Sequence, residues 1–325
     1  MHIVAALLAA ALATLAAPVA AQDAAAYPAR TIRIVVPFPP GGVTDRLARV
    51  VAQKMQEQWG QPAVVDNRPG ASGMIAAEQV AKSPPDGYTL MMGHIGTHAI
   101  NPSLFAKLPY DPVKDFAPVS LLVSVPNILL VHPSVPASSV AELVALARAR
   151  PGTLNFASPG SGTSGHMSAE LFKSLAGIDI VHVPYKGPGP ALQDLLAGQV
   201  NMLFDTVASS MPQVRAGKVK GLAVTTTTRS AIAPDVPTMA EAGVAGYEIA
   251  PWFAAYAPAG TPAAVIDKLN AEMRRILALP DVRAAFVDQQ GMTLIGSSPA
   301  DLGAHMQREI AKWAQVVKAT GAKAD

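Results

Sequence analysis

Short apolar runs alternate with amphipathic stretches along this chain, and the alternation begins twice. A run at 32–36 leads into the segment 43–59, where Leu47, Val50, Val51 and Met55 share one helical face. Strands at 63–65 and 88–92 flank a helix predicted over 72–82. Strand, helix, strand, helix, strand implies a parallel sheet with helices on both faces. The order restarts with strands at 128–131, 154–157, 180–183, 200–204 and 219–225. Between them fall helices over 138–150, with Ser138 as its N-cap, then 163–176, 190–197 and 208–216. The tail holds one strand, at 252–257, and helices over 262–279 and 299–320. One strand cannot make a third sheet, so the tail is expected to complete the first lobe. The expected fold class is α/β, two doubly wound lobes joined by a two-crossing hinge. The crossings fall near 124–127 and within 229–251. Lobe one is then 22–125 with 240–325, and lobe two is 126–239. Hinged lobes of this kind close around ligands.

The 325 residues suit two lobes of roughly 150 each. Lys plus Arg number 25 against 23 Asp plus Glu, a net charge of +2, with no basic stripe, so nucleic acid is not an expected partner. The absence of cysteine excludes disulfides, thiolate metal sites, cysteine nucleophiles and a lipid-anchoring cysteine. Residues 3–21 form an uncharged, Ala-rich run ending Val19-Ala20-Ala21, which fits export with a signal peptide cleaved near Ala21. Its n-region has no Lys or Arg. A membrane anchor is the rival reading, disfavoured by the Ala content and the lack of a basic flank before Arg30.

Two strand-to-helix turns carry the functional argument. The first is Pro37-Phe38-Pro39-Pro40-Gly41-Gly42. Ligands of open α/β sheets bind beyond the carboxyl ends of the strands. The glycines allow close backbone approach, and the helix start turns unpaired N–H groups outwards. Both an anion cradle and a plain tight turn fit these residues; Asp45 is expected to brace the turn. The second is Ser158-Pro159-Gly160-Ser161-Gly162-Thr163-Ser164-Gly165-His166, which satisfies G-x-G-x-x-G after a strand and before a helix. A dinucleotide fingerprint needs an acid at the end of the next strand, whereas Asp179 sits at its start, so no cofactor is expected. The hydroxyls of Ser158, Ser161, Thr163 and Ser164 suit a carboxylate instead. An NAD-dependent enzyme using 160–165 stays as the rival.

Other polar residues fall at the same sheet edges. Thr97, after the strand at 88–92, is placed to line the cleft. Lys186 either pairs with an anion or faces solvent. Asp205 either receives a ligand donor or caps the next helix. Trp252 and Phe253 are either pocket wall or core packing. His94 and His98 have zinc-pair spacing, but no Glu lies between them and Gly96 favours a loop, so no metal is expected. Neither a nucleophile elbow nor S-x-x-K is present, and Ser164 and His166 at a helix start would diverge rather than form a triad with Asp205. No catalysis is expected.

Five segments carry a resemblance: PFPPGGVTD at 37–45, DNRPGASG at 66–73, PDGYTL at 85–90, GTHAINPSL at 96–104 and VPYKG at 183–187. In this order they resemble the tripartite tricarboxylate transporter substrate-binding proteins, also called the Bug family, along essentially the whole chain after residue 21. The resemblance implies a periplasmic binding protein of Venus-flytrap type that captures a small carboxylate and delivers it to large and small membrane permease subunits. It implies a monomer, with di- and tricarboxylates, acidic amino acids or aromatic acids as ligands. By matching motif it points to Phe38, Gly41 and Gly42 from one lobe and Ser158, Gly160, Ser161, Thr163 and Ser164 from the other, with Asp205 at a recurrent acidic position. Pro40 and His94 depart from the family pattern. A sensor subunit serving a membrane kinase would have the same sequence signature.

Overall fold

The computed structural model describes residues 26–323; the expected signal peptide and its cleavage point near Ala21 lie outside them. The first lobe contains strands β1 (Ile32–Val36), β2 (Ala63–Asn67) and β3 (Thr89–His94) and helices α1 (Val43–Trp59) and α2 (Met74–Ala81). A π-helical turn (Gly96–Ile100) runs into the short α3 (Asn101–Leu104), and strand β4 (Phe116–Ser124) follows. The second lobe is β5 (Asn127–Val131), α4 (Val140–Ala149), β6 (Asn155–Ser158), α5 (Ser164–Ala176), β7 (Val181–Pro184), α6 (Pro188–Leu196), β8 (Met202–Thr206), α7 (Val207–Arg215) and β9 (Lys220–Val224). The chain returns through β10 (Trp252–Pro258), α8 (Ala263–Ala278), α9 (Pro280–Arg283), β11 (Thr293–Leu294) and α10 (Pro299–Thr320).

Two sheets result, ordered β11-β4-β10-β3-β1-β2 and β7-β6-β8-β5-β9. Neither is purely parallel. β1 pairs parallel with β2 and β3, and β6 with β7 and β8. β10 runs antiparallel to β3 and β4, and β5 antiparallel to β8 and β9. The reason is the hinge. Parallel strands of both lobes end at the cleft. A strand entering from the other lobe starts there, so it runs the opposite way.

Period-two alternation sorts the side chains of the first sheet onto two buried faces. Ile32, Ile34, Val36, Leu90 and Met92 meet α1 and α8, while Val35, Met91 and Tyr256 meet α2 and α10. The second core continues into the other lobe, taking in Phe156, Met167 and Phe172 as well as Trp313 of α10. At the hinge the crossings bond one another: Val125 N–H donates to Pro251 O at 2.8 Å, and Thr225 Oγ1 donates to Ile249 O at 2.8 Å.

Several local expectations shift. Strand β4 was not read from the sequence, because Pro118 interrupts its donor row; the bulges opposite it accommodate that proline. The α4 cap is Ser139, whose Oγ accepts from Glu142 N at 3.2 Å, while Glu142 Oε2 accepts from Ser138 N. A 3₁₀ turn (Ala71–Gly73) precedes α2, so the helix starts two residues later than predicted. The Gly96 segment is helical, not a loop. No helix among the described residues is long and apolar enough to cross a membrane.

Candidate functional site

The turn after β1 is set by Asp45. Its carboxylate accepts from Gly41 N (2.9 Å), Arg49 Nε (3.0 Å) and Asn67 Nδ2 (3.0 Å), and Asn67 Nδ2 also donates to Phe38 O at 3.0 Å. Burial alone would raise the carboxyl, but these hydrogen bonds outweigh it and hold Asp45 below the usual range. Gly41 adopts φ +97°, open to glycine without strain. Asp45 thus occupies one amide of the turn, and the amides of Gly42, Val43 and Thr44 remain at the α1 N-terminus.

The loop after β6 is built differently. Thr163 caps α5, accepting from His166 N at 3.4 Å and donating to Gly160 O at 2.7 Å. Ser158 Oγ lies 2.6 Å from His182 Nε2 and accepts from Gly160 N at 3.2 Å. A Cβ on Gly165 would sit 2.6 Å from Phe204 O and 2.9 Å from Pro159, so that glycine seats the helix against the strand.

Between the two turns lies a cavity of about 430 Å³, within the range of small-molecule sites. Phe38, Gly41, Gly42 and Thr44 line it from one lobe, and Thr163, Ser164 and Gly165 from the other. Its walls are largely apolar: Phe38, Ile95, Phe253, Leu192 and a set of prolines. Three charged groups reach it, Arg46, Lys186 and Asp205. Arg46 donates from Nη1 to Gly41 O (2.7 Å) and from Nη2 to Gln290 Oε1 (3.1 Å), so the cation is fixed beside the α1 N-terminus. Asp205 Oδ2 accepts from Ser209 Oγ (2.6 Å) and Ser210 Oγ (3.3 Å); burial pushes its carboxyl up despite those bonds.

Two buried lining residues hold polar atoms without a partner. Asn127 Oδ1 is one, its Nδ2 lying 3.4 Å from Ser164 Oγ. His94 Nε2 is the other. Gly96 N donates to His94 Nδ1 at 2.9 Å, and burial pulls the ring down to about 3, so it is neutral with its proton on Nε2. Among the described residues no group of three or more His, Asp or Glu is placed to hold a metal ion. His98 instead stacks on Tyr256 with centroids 3.8 Å apart.

The family model for the tripartite tricarboxylate transporter family receptor matches residues 47–322. This chain belongs to that receptor family. Among curated relatives, the receptor is 41% identical over 310 residues to BugT of Bordetella pertussis, covering 95% of this chain and 94% of BugT. It is 43% identical to Rpa4515 of R. palustris, solved with adipate, at a TM-score of 0.87 over 92% of this chain and 100% of that one. MatC of Rhodopseudomonas palustris, solved with bound malate, is 38% identical, with a TM-score of 0.83 over 90% of this chain and 100% of that one. The receptor shares its α/β two-lobed fold with these structures and with the periplasmic binding protein BugD, 34% identical at a TM-score of 0.85 over 92% of this chain and 100% of that one.

Of the residues singled out from sequence, the receptor brings Phe38, Gly41, Gly42, Thr163, Ser164, Lys186 and Asp205 to the cavity. Four others stand behind its lining. Thr97 is fully buried, its Oγ1 bonded to the His94 backbone and 2.9 Å from His98 Nδ1, because the π-helical turn rotates it inwards. Ser158 turns to His182 and Gly160 turns to Ser158. The Ser161 carbonyl accepts from Ser72 Oγ of the other lobe at 2.6 Å. Phe253 is wall, whereas Trp252 packs inward, donating to Glu309 Oε2 at 3.1 Å. Arg46 and Asn127 were missed. Arg46 carried a signal, one turn into the helix that follows the turn; Asn127 carried none.

Proposed function

We propose that this receptor closes its two lobes over a small carboxylate and passes it to the large and small permease subunits of a tripartite transporter, without catalysis. The supporting observation is the facing of two helix N-termini, α1 and α5, across one cavity with Arg46 and Lys186 beside it. Helix starts favour negative charge. Amides of 42–44 and the Ser164 hydroxyl are proposed to solvate the carboxylate, with Phe38 and Phe253 covering its body. Asp205 is proposed to accept from a ligand hydroxyl or amino group. Adipate in Rpa4515 and malate in MatC make four- to six-carbon diacids the first candidates. The protein is proposed to act as a monomer in the periplasm after cleavage near Ala21. Its lobes would be 22–125 with 240–325, and 126–239.

The test is a thermal-shift and calorimetry series with adipate, malate, an acidic amino acid and an aromatic acid against sugars. At least one acid should raise the melting temperature; a hundredfold excess over Kd corresponds to about 2.7 kcal/mol. No shift with any acid would overturn the carboxylate assignment. N-terminal sequencing of periplasmic protein checks the cleavage point.

A further inference from the structure

Apart from the buried core that α10 shares with the second lobe, the lobes also touch at a polar contact beside the cavity. Ser72 Oγ donates to Ser161 O at 2.6 Å across the cleft. The Ser72 turn is unusual: Ala71 and Ser72 both lie in the left-handed region, at φ +45° and +53°. Two consecutive non-glycine residues there are strained, and such strain persists only where the surroundings over-determine it. Asn101 supplies that support. Its Nδ2 donates to Ser72 O at 3.1 Å and lies 3.3 Å from Tyr110 Oη, which donates to Thr97 O at 2.7 Å.

The opposite lobe fits against this turn through glycine. A Cβ on Gly162 would lie 2.8 Å from Asn101 Oδ1 and 3.0 Å from Leu104, both in the first lobe. A Cβ on Gly96 would lie 2.9 Å from Gly162 O. Asn101 Oδ1 itself is buried with no hydrogen-bond partner. The first lobe therefore leaves a buried acceptor unpaired where a bare backbone from the second arrives.

We infer that Ser72, held by Asn101, is the catch of an inter-lobe latch whose other half is the Ser161-Gly162 backbone, and that it sets what share of the molecules is shut rather than which guest is chosen. Ser72 is thus a positioning residue for closure. The inference rests on the opening and closing motion of the function proposed above and not on the guest being a carboxylate. Both contacts are made between protein atoms, so the latch biases the lobes toward closure on its own, and any ligand adds to that bias.

The test uses the full chain without added ligand. The sequence has no cysteine, so Gln56→Cys on α1 and Gln193→Cys on α6, both exposed, accept spin labels for an inter-lobe distance distribution. In that background the closed population should fall roughly two- to tenfold in Ser72→Ala and in Ser72→Gly, the fold-change that one net hydrogen bond carries. It should be lost in Gly162→Ala. Circular dichroism should show all variants folded. The same distribution in all four proteins overturns the latch. Parent-like closure in Ser72→Gly with loss only in Ser72→Ala also overturns it, because the effect would then belong to backbone strain and not to the hydroxyl. Failure of the acid panel would leave this outcome unchanged, so the two readings fall separately.

Discussion

At the scale of single residues, burial decides more than residue type. His94 and His98 lie one helical turn apart, a spacing that suggests metal; each instead sits in the core of the first lobe, 4% and 0% exposed. Burial holds His94 down to about 3 and His98 well below its ordinary value, with the neighbouring His94 adding to the latter. Both rings stay neutral in the folded chain and take up protons in the unfolded one near pH 6.5. The unfolded state then binds more protons, so stability is lost as pH falls below about 6.5. The loss should run on the order of 1 kcal/mol per pH unit for each ring. Urea unfolding at about pH 7 and pH 5 measures it, and His98→Asn should flatten the slope by roughly one proton. Equal stability of the parent protein at both values would count against buried neutral histidines. Asp45 shows the other side of burial: a charge is kept because three donors meet it.

At the scale of elements, the returning tail holds the first lobe together. Trp313 of α10 is fully buried, and its indole N–H donates to Glu309 Oε2 at 3.1 Å. Glu309 also accepts from Trp252 of β10, so one carboxylate ties the last helix to a central strand. Trp313→Ala removes the largest side chain of that contact and should cost about 3–5 kcal/mol. Denaturant midpoints at constant slope measure it; a loss under about 1 kcal/mol would mean that the helix only lies on the lobe. The strands explain what was legible here. A 3.6-residue or two-residue period is a local property, so β1, α1 and β6 were readable with near-correct ends. β4 was not, because a proline in its ladder breaks the local signal and only bulged pairing with β10 rescues it.

At the scale of the whole molecule, the proposed function depends on relative motion of the two lobes about the linking segments. Val125 N–H donates to Pro251 O, which ties the two linkers to each other. Small-angle scattering should show the radius of gyration falling when a binding acid is added, and Ser72→Ala should reduce the fraction closed at a given subsaturating acid concentration. An unchanged radius with proven binding would mean that the lobes do not move.

The order of most strands and helices, β4 and β11 excepted, the two glycine-bearing turns and the Asp45–Gly41 part of the brace were determined by sequence alone, since each depends on neighbours a few residues away. Tertiary structure decided the rest. Strand direction in β5 and β10 follows from entry at the cleft, which no local pattern encodes. Which hydroxyls reach the cavity follows from loop torsions: Ser164 faces it, while those of Thr97 and Ser158 turn to partners behind it. Arg46 and Asn127 share that cavity only because segments some eighty residues apart are folded against each other, and contacts at such separation leave no trace in the spacing of either segment.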